Sequence, residues 1–202
     1  MDFMIGLLGA GGMAHEIFIW VNQSHYGVEY LYDSNVKKGL YLYNGNQYEV
    51  KNEIDNDCLH VIAVGYPKTK VEIVKDLKIN LSNAIIHPSC VLGAGVCIGK
   101  GSVVSPLCTF TSNINIGKLV SINSNVTVGH DVKIGDMFHA SPGVVVSGNC
   151  IIGDRVFLGS NSCIKEKVTI CDDVIIGMGS VVLYDIKYPG VYAGNPARKI
   201  DG

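Results

Sequence analysis

Every sixth residue from Ile86 to Val182 is aliphatic, with Phe110 and Ala140 as the two variations, and no insertion interrupts the seventeen positions. At 48% hydrophobic content such a register does not arise by chance. A period of six fits neither the 3.6-residue turn of an α-helix nor the two-residue alternation of a flat sheet. It calls for a coil whose flat sides each take about six residues, a parallel β-solenoid. A second inward set falls four residues after the first, running from Cys90 and Val96 through Val126, Val144 and Ser162 to Ser180. Two inward residues per side fill the prism. With three sides to a coil, positions eighteen apart stack, so Val126, Val144 and Ser162 form one column. The residue after each aliphatic is often Gly (Gly93, Gly117, Gly129, Gly159) or small and polar (Ser105, Asn123), and is expected to turn the corner with unusual backbone angles. Each buried aliphatic contributes roughly 1.5–3 kcal/mol, enough for the repeat to hold together without disulfides.

The repeat takes about half of the 202 residues, which leaves residues 1–82 as a separate unit ahead of a coil and tail spanning 83–202. Net charge is −2 and Lys and Arg form no dense block, so the electrostatic footprint of a nucleic-acid binder is missing. No apolar stretch reaches membrane-spanning length, and the first residues lack the charged, apolar and small-residue series of a secretion signal, so a cytoplasmic location is expected. The seven cysteines are odd in number, form no C-x-x-C pair, and include three at inward positions (Cys90, Cys108, Cys150). They read as small core residues.

Residues 1–82 have a different rhythm. Phe3 to Leu8 is a short apolar strand, Gly9-Ala10-Gly11-Gly12 a turn, and Met13 to Ser24 a helical stretch. A second strand from Glu29 to Tyr32 ends at Asp33; a third from Leu59 to Val64 ends at Gly65; Lys68 to Lys78 is expected to be helical, with Val71, Val74 and Leu77 on one side. The result is a three-stranded α/β unit whose ligand crevice lies where Gly9–Gly12, Asp33 and Gly65 converge. Gly9, Gly11 and Ala14 satisfy G-x-G-x-x-A, but the unit is half the size of a sheet that clasps a dinucleotide. A mononucleotide or nucleotide-sugar fits better, its phosphates meeting the turn amides and the positive end of the helix. The bland alternative is that the glycines only permit a tight turn.

His130 comes two places after the inward Val128, on a corner, so it faces outward, and Asp131 follows it. Histidine titrates in the range a general base needs, and a neighbouring carboxylate stabilises the protonated ring. On spacing alone, a surface histidine beside an unrelated acid fits as well.

The repeat, the segments Gly9-Ala10-Gly11-Gly12, Asn125 to Val132 (NVTVGHDV) and Phe138 to Gly143 (FHASPG), and the tail Gly194-Asn195-Pro196-Ala197 together resemble the sugar O- and N-acyltransferases of the sialic acid O-acetyltransferase type. These include bacterial enzymes acting on nucleotide-linked 4-amino sugars for surface glycans. The resemblance implies a half-Rossmann α/β domain followed by a left-handed parallel β-helix, a homotrimer with sites between subunits, and acetyl-CoA as donor, with no metal. It implies His130 as general base with Asp131 as its partner, and His139, Gly148, Ser160 and Met178 as acetyl-CoA contacts. Substrate contacts are implied at Gly11, Gly12, Met13, Asp33, Ser34, Gly65 and Asn123, the substrate being a UDP- or dTDP-linked amino sugar. The chain departs from many relatives at Met13 (for His), Ser34 (for a second acid), Lys70 (for Arg) and Asp131 (for the longer Glu), the last making direct contact with His130 less assured. Three other readings stay open: O-acetylation of a sialic acid, a γ-type carbonic anhydrase, and a non-catalytic solenoid serving as a binding platform. The zinc reading is disfavoured because His130 and His139 are nine apart and His15, His25, His60 and His87 offer no obvious third ligand. His87 reads as a cap at the start of the coil.

Overall fold

The structure is a computed structural model that describes residues 3–43, 46–55, 57–76 and 79–200. Strand β1 (Phe3–Leu8) leads through the glycine turn into helix α1 (Gly12–Trp20), which buries Ala14, Ile17 and Trp20 at three-residue spacing and ends in a 3-10 turn at Val21–Ser24. There follow β2 (Tyr26–Tyr32), β3 (Gly39–Tyr43), β4 (Asn46–Lys51), β5 (Leu59–Ile62), α2 (Pro67–Asp76) and β6 (Asn80–Leu81). The sheet order is β3-β4-β2-β1-β5-β6, parallel throughout except for the antiparallel β3–β4 pair.

The expectation of three strands is therefore corrected to six. The hairpin was missed although Leu40-Tyr41-Leu42-Tyr43 is an apolar run, because the run is short, lies at a sheet edge and pairs with the mostly polar Asn46–Lys51. Its signal was Asn44-Gly45 between alternating segments, a pattern that favours two-residue hairpins. In α2, Leu77 and Lys78 lie outside the described residues.

From Ile85 the chain winds into two-residue strands on three faces, each strand pairing in parallel with the one eighteen residues on. Face one starts Ile85–Ile86 and Val103–Val104, face two Val91–Leu92 and Thr109–Phe110, face three Cys97–Ile98 and Asn115–Ile116. Backbone bonds tie each coil to the next: the Thr127 amide donates to the Val144 carbonyl at 3.0 Å, and the Val145 amide to that of Ser162 at 3.0 Å. Both inward sets are buried from Val104 to Val182. The first coil departs from the pattern. Leu92 is 44% exposed because no rung lies beyond Val91–Leu92 to cover it.

The glycines after the aliphatics also have a different cause from the one expected. Their φ angles are not positive; the left-handed corner comes two residues later, at Gly95, Gly101, Asn113, Asn125 and Asp131 among others. A Cβ at Gly129 would lie 2.5 Å from the Gly148 amide of the next coil. Close stacking of coils, not backbone strain, demands glycine there.

The N-terminal sheet lies against the outer side of face one. Outward Ile85 and Val103 join Ile5, Leu7, Ile17, Trp20 and Val61 in one buried cluster. His87 ties the same seam, its ring meeting Trp20 edge-on at 5.4 Å and its Nε2 lying 3.2 Å from Gln23 Oε1. Truncating the inward, fully buried Phe138 to Ala is expected to cost about 3–5 kcal/mol in denaturant unfolding, and a loss below about 1 kcal/mol would contradict a filled prism.

Candidate active site

The corner between faces two and three carries His130. Its side chain is 58% exposed, and Nδ1 lies 2.7 Å from Asp131 Oδ2. The left-handed φ of Asp131, 59°, turns its carboxylate back onto the ring, so the shorter acid makes the contact that its length left in doubt. The hydrogen bond from His130, then one from Asn113 Nδ2 at 3.4 Å, holds the Asp131 carboxyl below its ordinary range. An ionised carboxylate only accepts, so Nδ1 carries a proton, and in the neutral ring Nε2 holds the lone pair. That tautomer is a base. Nε2 sits over Gly148 of the next coil, where a Cβ would lie 2.7 Å away.

His139 occupies a different place. It stands outward on face one but is covered by the N-terminal unit and is only 7% exposed. Its ring stacks on Phe157 (centroids 4.7 Å apart, planes 10° apart), Nε2 lies 3.2 Å from Ser141 Oγ, and Nδ1 has no partner. Gly65, at the end of β5, abuts the ring; a Cβ there would lie 2.8 Å from Cε1. Burial, then the Lys70 charge, pushes His139 down to about 3. Gly65, expected at a substrate crevice, instead packs directly against the buried His139 ring.

At the glycine turn, the Ala10 amide donates to Asp33 Oδ2 (3.1 Å) and the Asn35 amide to Asp33 Oδ1 (2.9 Å). Asp33 therefore shapes the crevice and does not project freely into it. Gly11 caps α1 with no side-chain hydrogen bond, and space is open where Cβ atoms of Gly11 and Gly12 would stand, so the helix amides are accessible to an anion. Met13 is half-buried beside this turn and Ser34 is exposed. His15 faces the hairpin, its Nε2 2.9 Å from the Tyr48 hydroxyl.

The remaining sites fall on the two edges of face two. His130, Asp131 and Gly148 line the edge toward face three; Asn123, Ser160 and Met178 line the edge toward face one, with Met178 80% exposed. Between them the outward residues Val91, Thr109, Thr127, Val145, Cys163 and Val181 carry no charge. One chain does not bring His130 and His139 together, since face three separates them along the coil and face two lies on the other side. Sequence reasoning missed Tyr66 and Phe157, which with Arg155, Asp173 and Ile175 line a cleft of about 400 Å³ under α2. Their signal was an outward column on face one, Ile85, Val103, Ser121, His139, Phe157 and Ile175, apolar at four of six positions. Arg155 is pinned by Asp173 (2.7 Å) and Asp172 (3.2 Å), which raises its pKa further. Among the described residues no group of three or more His, Cys, Asp or Glu could hold a metal ion, and no helix is long and apolar enough to cross a membrane.

Residues 149–184 match the bacterial transferase hexapeptide family (six repeats). This is the hexapeptide-transferase fold. A mutant perosamine N-acetyltransferase from Caulobacter crescentus, solved with CoA and GDP-perosamine, superposes with a TM-score of 0.88 at 22% identity, covering 100% of this chain and 99% of that one. The acetyltransferase domain of PglB from Neisseria gonorrhoeae, solved with acetyl coenzyme A, gives 0.87 at 26% identity, covering 99% and 100%. WeeI from Acinetobacter baumannii gives 0.82 at 27%, covering 98% and 100%. No curated protein sequence matches the chain.

Two expectations follow. A Gly148→Ala change forces the His130 ring off its seat and is expected to lower turnover by about 10- to 100-fold with the melting temperature little changed; full activity would contradict the geometry. Burial keeps His139 neutral when folded, whereas the unfolded chain protonates it near 6.5. Stability from this source is complete above that value and is lost as pH falls toward 3. Melting curves of His139→Gln should show a shallower acid decline than the parent; parallel declines would refute the assignment.

Proposed function

We propose that the protein is an acetyl-CoA-dependent N-acetyltransferase that acts on the amino group, at position 4, of a nucleotide-linked amino-deoxy sugar for surface glycans. The observation that carries this reading is the division of candidate groups between two edges of one uncharged face, with helix amides left open to an anion at Gly11 and Gly12. The whole-chain likeness to the PglB acetyltransferase domain and WeeI supports it.

In this reading the α1 amides and the open space at Gly11 and Gly12 receive the diphosphate, while Asp33 holds the turn in shape and Gly65 leads the sugar toward His139. The donor lies along face two, its pantetheine meeting main-chain groups near Gly148, Ser160 and Met178. His130 Nε2 removes the amine proton as the nitrogen attacks the thioester carbonyl, and Asp131 stabilises the imidazolium that forms. CoA leaves as thiolate, and no covalent enzyme intermediate is required. Because His130 and His139 stand on separate sides of one prism, the site is completed by a second copy packed along face two, and closure around a threefold axis makes a homotrimer. The reading places the work in the cytoplasm, with no metal.

His130→Ala should reduce turnover by about 10²- to 10⁴-fold while the oligomer, judged by light scattering, is unchanged; near-normal rates would refute the base. Thermal-shift measurements with UDP, dTDP and GDP, each with and without acetyl-CoA, should show stabilisation by at least one nucleotide. No stabilisation by any of them would remove the nucleotide-linked acceptor and favour O-acetylation of a free sugar.

A further inference from the structure

The seam between the N-terminal unit and the coil holds a lysine that neither apolar packing nor ion pairing explains. Lys70, early in α2, is 0% exposed. Its Nζ donates to the Leu119 carbonyl at 2.8 Å and to Ser121 Oγ at 2.7 Å, and among the described residues no carboxylate pairs with it. Burial pushes its ammonium down to about 7. An ammonium withdrawn from water without a counter-charge weakens the fold, and places where packing rules are broken are where function is sought.

The geometry says where the charge acts. Ser121 is the register partner of His139 on the adjacent coil, so the lysine ends one rung from the ring. His139 is the titratable group facing it from the coil, and Lys70 is the second influence, after burial, that keeps that ring neutral. Ser141 Oγ lies 3.2 Å from Nε2 and Nδ1 is buried without a partner; in the tautomer where the Ser141 hydroxyl donates to Nε2, Nδ1 carries the ring proton and is the donor left over. Tyr66, Lys68, Arg155 and Asp173 line the adjoining cleft, where Asp173 is already taken by Arg155.

We propose that Lys70 is a positioning residue for acyl transfer: its buried positive charge holds His139 as a neutral hydrogen-bond donor and offsets the negative charge that gathers on the thioester carbonyl oxygen. This rests on the function proposed above. As the amine nitrogen bonds to the carbonyl carbon, the C=O pair moves onto oxygen; its return breaks the C–S bond and expels CoA thiolate, while the amine proton goes to His130. A preorganised charge behind a neutral donor favours the intermediate over the bound substrates, because it responds to charge that exists only during attack.

The test is steady-state kinetics with acetyl-CoA and GDP-perosamine or UDP- and dTDP-linked 4-amino sugars, together with calorimetric binding of CoA. K70M should lower kcat by roughly 10²-fold with the KM for acetyl-CoA and the affinity for CoA unchanged. K70R, which keeps the charge, should recover most of kcat. In the parent, the part of kcat that needs the charge should fall as pH rises through about 7, and K70R should lack that decline. If K70M turns over within about twofold of the parent, or loses activity only in parallel with CoA binding and melting temperature, Lys70 is structural and the inference fails. If the parent transfers acetyl to none of these amines, the proposed function fails and takes this inference with it.

Discussion

Everything in the coil depends on one constraint: each rung must stack in register on the rung eighteen residues away. The inward columns satisfy it with aliphatic side chains that fill the prism and exclude water. The rungs satisfy it with parallel backbone hydrogen bonds, and the corners with residues that tolerate positive φ or whose missing Cβ lets coils approach. Because no insertion breaks the period, every outward side chain has a fixed height and a fixed edge. A catalytic group can then be placed by counting. Gly148 lies under His130 for this reason alone.

The same regularity explains why the two histidines behave so differently. His130, on a bare corner, is open to solvent and is oriented by the acid next to it. His139, two rungs on and on another face, is roofed by the N-terminal unit and stripped of water, so it remains a neutral dipole. One exposed base and one buried donor are complementary needs of acyl transfer. In the proposed reading, their separation on the prism makes the bare face between the site edges the seat of a second copy.

Much of this was legible in the chain. The period announced the solenoid, its sides and its columns, and the glycine turn announced the first strand-to-helix connection. What escaped has physical reasons. The β3–β4 hairpin lies at a sheet edge, where the short run Leu40-Tyr41-Leu42-Tyr43 pairs with a mostly polar strand. The glycine after each aliphatic was read as a left-handed corner because sequence shows that a residue is small without showing whether φ or a neighbouring coil requires it. Burial of His139 and Lys70 could not be read locally, since it arises where α2 and Gly65 meet a face far along the chain. The mostly apolar outward column containing Phe157 was the one local hint that something covers that face.

The central claim is that the base and the donor of one site come from different copies of the chain. It is tested by mixing two inactive variants, H130A and H139Q, through co-expression with distinct tags and purification of the mixed oligomer. Because some seams then join an intact His130 edge to an intact His139 edge, acetyl transfer should rise well above either parent variant. A mixed oligomer no more active than its parents would mean that each site is built within a single chain.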